Sequence, residues 1–250
     1  MYPTRPRSSL RTAVVWEVLR EALERRAQQT GRTALDVLDT GGGTGNFAVP
    51  VAKLGHRVTV VDPSPDALFA LERRAAEAGV TDLVNAVQGD AQTIGDLVQP
   101  ESVDAVLCHG VLEYVDDPAD AVARITAVLR KGGALSLLAS NRNGAALARA
   151  IAGHFAEAQH ALEDADGRWG EGDPMPRRFT EDELVALADG AGLRVDSVHG
   201  VRIFADLVPG VLVDTEPGAL DALLKLEQSA AGRAAFHAIA TQLHLLATLG

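Results

Sequence analysis

Val37-Leu38-Asp39-Thr40-Gly41-Gly42-Gly43-Thr44-Gly45-Asn46 decides the fold. Residues 34–39 (ALDVLD) are an apolar run ending in an acid, and read as a buried strand. Residues 46–54 read as a helix stopped by Gly55. Between strand and helix lies a glycine loop. Glycine lets the backbone turn tightly and lets a ligand approach where a Cβ would block it. The glycines at 41, 43 and 45 have GxGxG spacing, and Gly42 sits among them. The dinucleotide fingerprint GxGxxG wants its last glycine at 46, which is Asn46. The spacing therefore favours a cofactor without a pyrophosphate. Asp39 stands ready to meet an ammonium group, directly or through water.

Outward from the loop, short apolar runs alternate with helical segments. Residues 57–62, 83–89, 103–108 and 134–139 read as strands. Residues 64–78 and 119–129 read as helices, stopped by Gly79 and by Lys131-Gly132-Gly133. Such alternation predicts a parallel sheet with right-handed crossovers, covered on both faces. Residues 8–29 predict an amphipathic helix with Val14, Val15, Val18, Leu19 and Leu23 on one stripe. After Ser140 the pattern changes. Residues 141–159 are helical, and 164–178 are a polar, Gly- and Pro-rich loop or lid. Thr180 and Glu183 form a capping box for a helix reaching Gly190. Residues 193–204 and 235–247 predict sixth and seventh strands. The expected fold is α/β and Rossmann-like: a central, mostly parallel seven-stranded sheet with helices on both faces. One domain is expected over 1–250. Its parts are a cofactor-covering helix (8–30), a cofactor-binding core (34–140), a lid or substrate insertion (141–180) and the rest of the sheet (181–250).

Three acids end strands, where open α/β sheets bind ligands. Asp39 is the first. Asp62, followed by Pro63, can accept both hydroxyls of a ribose. Asp90, followed by Ala91 and Gln92, can accept an adenine amino group while the next backbone reads the ring edge. The fourth strand ends in Cys108-His109-Gly110-Val111-Leu112-Glu113-Tyr114. His109 is placed to face the cofactor or its reaction partner, and Tyr114 to line the pocket or pack.

Composition sets outer bounds. The chain has 250 residues, 47% hydrophobic but only 4% aromatic, so aliphatic side chains must build the core. Its net charge of −11 argues against indiscriminate nucleic-acid binding, although Arg5, Arg7 and Arg11 cluster near the start. Cys108 is the single cysteine, so no intrachain disulfide forms. With no apolar signal core and no run long enough to span a bilayer, the expectation is a cytoplasmic protein without membrane contact. No motif specifies an oligomeric state.

Taken together, residues 37–45, Val61-Asp62, Gly89-Asp90 and 129–133 resemble the class I methyltransferases. The likeness implies S-adenosyl-L-methionine as cofactor, and with no obvious metal cluster in the sequence no metal is expected. A narrower likeness covers nearly the whole chain. Residues 10–16, 39–43, 109–114, 141–155, 200–206 and 223–227 resemble the bacterial tRNA 5-carboxymethoxyuridine carboxyl methyltransferases. That family esterifies a modified wobble uridine, so tRNA is the implied partner. The resemblance assigns Arg11 to the cofactor's methionine carboxylate. It makes Asn141, Arg177 and Arg202 the substrate-side residues, one holding the acceptor carboxylate and the others phosphate or base. The chain departs from the family where residues 162–168 are acidic, and Lys53, Lys131 and Lys225 are its only lysines. Those departures favour a rival reading, a methyltransferase with a small-molecule acceptor. An acceptor hydroxyl would then want a base, and His109, His154 and His199 are available. A third reading is a non-catalytic cofactor-binding module.

Overall fold

The computed structural model describes residues 8–250, with the backbone alone for 8–11 and 214–215. Arg5, Arg7 and the side chain of Arg11 lie outside what is described. The chain begins with α1 (Ser8–Thr30), β1 (Asp36–Thr40), α2 (Ala48–Lys53), β2 (Arg57–Asp62), α3 (Pro65–Ala78) and β3 (Val84–Gln88). It continues with α4 (Ile94–Leu97), β4 (Val103–His109), α5 (Pro118–Ala127), β5 (Leu129–Ser140), α6 (Arg142–Ile151), α7 (Phe155–Glu163) and α8 (Glu181–Gly190). It ends with β6 (Leu193–Val201), α9 (Gly210–Thr215), α10 (Ala219–Ala231), α11 (Ala234–His237) and β7 (Gln242–Leu249). Seven strands form one sheet in the order β3-β2-β1-β4-β5-β7-β6. The pairs β1–β2, β1–β4, β2–β3 and β4–β5 are parallel. Leu35, Leu38, Val60, Val61, Val106 and Leu107 are fully buried, so the inner strands are covered on both faces, as their continuous apolar runs require. No helix among the described residues is long and apolar enough to cross a membrane.

The observed elements differ from the sequence reading at several places. Helix α2 starts only at Ala48, because the glycine loop runs on through Asn46. Lys131-Gly132-Gly133 does not stop α5, which ends at Ala127; it lies inside β5. There Val103 pairs with Leu129 but Ala105 with Ala134, so β5 bulges, and Gly132 at φ 71° supplies the left-handed turn. Strand β6 ends at Val201, because Arg202 adopts a left-handed φ of 59°. Residues 234–237 form α11, so β7 starts later than expected.

The chain gathers into two compact units. The core unit comprises Leu19–Leu138, Val185–Asp196 and Leu245–Gly250. The second unit comprises the chain up to Val18, Ala139–Leu184 and Ser197–His244.

In the core unit an ion-pair network ties together the N-terminal ends of four strands. Asp104, fully buried, accepts from Arg32 at 2.6 Å, Arg130 at 2.8 Å and the Asp36 amide at 3.0 Å. Asp36 in turn accepts from Arg32, Arg57 and Arg130. Burial opposes charge on Asp36, but the three arginines outweigh it and hold the carboxyl below its usual value.

In the second unit Asn141 caps α6 by accepting the Asn143 amide. Its own amide donates to the carbonyls of His237 and Ala240, at 2.9 and 2.8 Å. Thr180 and Glu183 exchange hydrogen bonds at the start of α8, the reciprocal box read from the sequence. Arg178 is buried against Asp173, which also accepts the Trp169 and Met175 amides.

Candidate active site

The glycine loop leaves β1 between β2 and β4. Gly41 donates to the Val61 carbonyl at 2.7 Å, which ties the loop to the end of β2. Gly41 has φ 65° and a Cβ there would strike Val111, so only glycine lets the chain pass. Arg74, from α3, clamps the loop's far side: its Nη1 donates to the Thr44 carbonyl, the Thr44 hydroxyl and Asn46 Oδ1.

A cleft of about 320 Å³ opens over this loop, within the range of small-molecule sites. Gly41, Asp62, Pro63, Asp90, Ala91 and Tyr114 line it, six residues that the sequence reading named. Thr40, Gly110, Val111 and Val115 line it too. Sequence reasoning did not nominate these four, although Gly110 and Val111 sit directly behind the strand-ending His109. Gly110 has φ 70° and no atom within 4 Å of a would-be Cβ, an opening that the sequence does not announce.

The two rim acids are fixed by backbone amides. Asp62 Oδ2 accepts from Gly43 and Oδ1 from Ser64, both at 2.9 Å. Each oxygen keeps a second lone pair for a ligand hydroxyl. Asp90 Oδ1 accepts the amides of Gln92 and Thr93. Gln92 itself is exposed and does not line the cleft. Tyr114 is 63% exposed at the mouth.

Asp39 lies elsewhere than at the cleft wall. Its carboxylate is buried under the loop, so close that a Cβ on Gly42 would stand 2.6 Å from it. Gly45 is likewise packed against Leu71 rather than open to the cleft. Burial, and then the charge of Asp62, push the Asp39 carboxyl up to about 7, against the stabilising Ala48 amide. His109 bonds Ser136 Oγ through Nε2 at 2.9 Å and meets the edge of Phe47. Burial pushes its imidazole down to about 3, so it is neutral at physiological pH. Cys108 is fully buried, and burial pushes its thiol up, out of the reactive range.

The cleft fits a nucleoside-bearing, cationic cofactor on three observations. Thr40 Oγ1 is buried there with no hydrogen-bond partner among the described residues. Asp62 offers free lone pairs. Finally, no arginine or lysine is paired with Asp39, Asp62 or Asp90 among the described residues, so the site's negative charge is undischarged. Among those residues no group of three or more His, Cys, Asp or Glu is placed to hold a metal.

The second unit holds its own cavity, about 400 Å³, lined by Asn141, Arg178, Arg202, Asp206 and Thr241 among others. Arg202 forks onto Asp206, with Nη2 at 2.6 Å from Oδ2, and Thr241 donates to the same carboxylate. Arg177 is not in this cavity; its Nε holds Asp166 at 2.9 Å. Its neighbour Arg178 takes that place. The adjacent pair gives the sequence no reason to prefer one over the other.

Residues 38–137 match the methyltransferase domain family. The tRNA 5-carboxymethoxyuridine methyltransferase of Escherichia coli (strain K12) is 32% identical over 200 residues, 80% of this chain and 74% of that protein. The ubiquinone biosynthesis O-methyltransferase of Xanthomonas euvesicatoria pv. vesicatoria is 36% identical over 119 residues, 47% of this chain and 48% of that protein. Among solved structures, a SAM-dependent methyltransferase from Methanosarcina mazei shares the fold with a TM-score of 0.57 at 18% identity. It covers 87% of this chain and 93% of its own.

Proposed function

This chain belongs to the class I S-adenosylmethionine-dependent methyltransferases, and from that premise we propose that its acceptor is the carboxylate of 5-carboxymethoxyuridine in tRNA. One observation carries the choice of acceptor. The likeness to the tRNA enzyme runs over 200 residues, well outside the methyltransferase domain at 38–137, whereas the likeness to the ubiquinone enzyme spans 119.

When bound, S-adenosylmethionine supplies a methyl group on a sulfonium sulfur, which an acceptor oxygen displaces in line. The chain's residues bind and align. We assign Asp62 to the ribose hydroxyls, Asp90 with Ala91 to the adenine, and Gly41 and Gly43 to the close backbone approach. Asp39 acts from beneath the loop, favouring the ammonium group through its charge. Arg11 is assigned to the methionine carboxylate. His109 is a neutral, partly buried side chain held on Ser136. On the acceptor side Arg202 receives the substrate carboxylate in place of Asp206, since its guanidinium already holds a carboxylate in that fork. Asn141 positions the cavity wall, its amide being committed to backbone. Tyr114 covers the cleft mouth.

A carboxylate acceptor also suits the available bases. It is ionised at neutral pH, with a pKa of about 4, and needs no proton removed. A hydroxyl acceptor would need a base, and His109, held at about 3, is a poor one at pH 7. Within the acidic stretch 162–168, the ion pair of Asp166 with Arg177 lessens the negative charge that an RNA would meet. The buried, reduced Cys108 suits the cytoplasm, where we place the reaction.

Arg202→Ala tests the acceptor half. It should abolish methyl transfer to tRNA while cofactor affinity, measured calorimetrically, stays within about twofold. Retained turnover would remove Arg202 from the acceptor site.

A further inference from the structure

Another cavity, of about 290 Å³, lies in the core unit near the N-terminal ends of β4 and β5, the opposite strand ends from the cofactor cleft. Arg25, Arg26 and Arg194 line it, with Gln29, Asp196 and Thr248. Three guanidiniums on one cavity run against a chain of net charge −11. The single acid in the lining is already occupied, since Asp196 holds Arg194 at 2.9 Å and takes the Thr248 hydroxyl. Arg25 has no ion-pair partner among the described residues.

Arg26 carries the argument furthest. Its side chain is only 12% exposed, yet its one ion-pair contact among the described residues is Nη2 to Asp104 at 3.4 Å. Asp104 is already served by Arg32 at 2.6 Å and Arg130 at 2.8 Å. Arg26 Nε is buried with no acceptor among the described residues. A buried donor left unmade is costly, and native structures seldom keep one without a ligand or water to meet it. The backbone also makes room for this side chain. Gly132 lies 2.8 Å from Arg26 Nη1 at the place a Cβ would take, so any other residue would push the guanidinium away.

We propose that this cavity binds a phosphate group. Donors outnumber free acceptors in its lining. A tetrahedral oxyanion can accept from several converging guanidinium forks, where a carboxylate is satisfied by one. The C-terminal end of α1, at Gln29, works against an anion, and the three arginines oppose it. The phosphate can come from a small phosphorylated molecule or from an RNA backbone; the chemistry at the site is the same.

The test uses the full chain and inorganic phosphate, and it does not rest on the identity of the methyl acceptor. Melting temperatures are compared in sodium phosphate and sodium chloride at equal ionic strength. Phosphate at ten times its dissociation constant should raise Tm by about 3 °C or more. The double variant Arg25→Ala/Arg194→Ala, which spares Arg26 and its contact to Asp104, should lose most of that rise. Equilibrium dialysis of labelled phosphate gives the same reading without melting: one site in the natural protein, affinity at least tenfold weaker in the double variant. Equal melting in the two salts, or an undiminished response in the variant, overturns the proposal. Filter binding of bulk tRNA then separates the sources. Tenfold weaker binding by the double variant, with a shallower salt dependence, assigns the site to RNA phosphate. Unchanged tRNA binding beside lost phosphate binding assigns it to a small phosphorylated ligand.

Discussion

The two ends of the sheet in the core unit treat the same side chain in opposite ways. At the N-terminal ends Asp36 and Asp104 are surrounded by Arg26, Arg32, Arg57 and Arg130. At the C-terminal ends Asp39, Asp62 and Asp90 have backbone amides but no arginine or lysine among the described residues. Paired acids hold strands in register; acids without a cation leave charge for a cofactor to answer. The contrast separates stability from binding within one set of strands, and each end can be broken on its own.

The largest effect is expected at Asp104. Asp104→Ala leaves the nearly buried Arg26 guanidinium and the Asp36 amide without their buried acceptor and should cost about 3–5 kcal/mol. A melting curve should then fall by about 6–20 °C, while the folded protein at low temperature keeps its cofactor affinity. A small change in melting would mean that the network is ornamental. Asp62→Ala should do the reverse. Cofactor binding by calorimetry should weaken about tenfold to a hundredfold, the worth of one or two charged hydrogen bonds, with little change in melting. Unchanged affinity would end its ribose role.

Asp39 sharpens the comparison through pH. Its folded carboxyl is pushed up to about 7, well above its ordinary value of 3.8. Between those values the folded chain keeps a proton that the unfolded chain has released. Stability without cofactor therefore falls as pH rises from about 4 to 7, and the loss is complete above that window. Asp39→Asn removes this slope. Denaturant titrations should show the variant gaining about 2 kcal/mol on the natural protein between pH 5 and pH 7. Parallel pH profiles would show that Asp39 is ionised throughout. The smallest effect belongs to Arg57, which is 54% exposed. Arg57→Ala should cost at most about 1 kcal/mol, because solvent screens its pair with Asp36.

Much of this was legible in the sequence. Alternating strands and helices, the GxGxG spacing and the Thr180–Glu183 box are local patterns, and local patterns fix local geometry. The failures came where one signal serves two geometries. Lys131-Gly132-Gly133 reads equally as a helix stop or a strand bulge, and only pairing with β4 decides. Arg202 ends β6 by a left-handed turn that its residue type does not announce. At the site, spacing found the strand-ending acids but could not tell which side of the loop each carboxylate takes. Asp62 and Asp90 face the cleft, whereas Asp39 lies beneath Gly42. Thr40 and Gly110 were invisible because their importance lies in an unpartnered hydroxyl and an open backbone, not in reactive chemistry.

Methyl transfer to a tRNA carboxylate is the function proposed above. It is tested most directly by supplying the protein with S-adenosylmethionine labelled in its methyl group and tRNA that carries 5-carboxymethoxyuridine. The expected result is label in the tRNA that mild alkali releases as methanol, as only a methyl ester allows. Alkali-stable label in the tRNA, or unlabelled tRNA beside a methylated phenol or small acid, would contradict it.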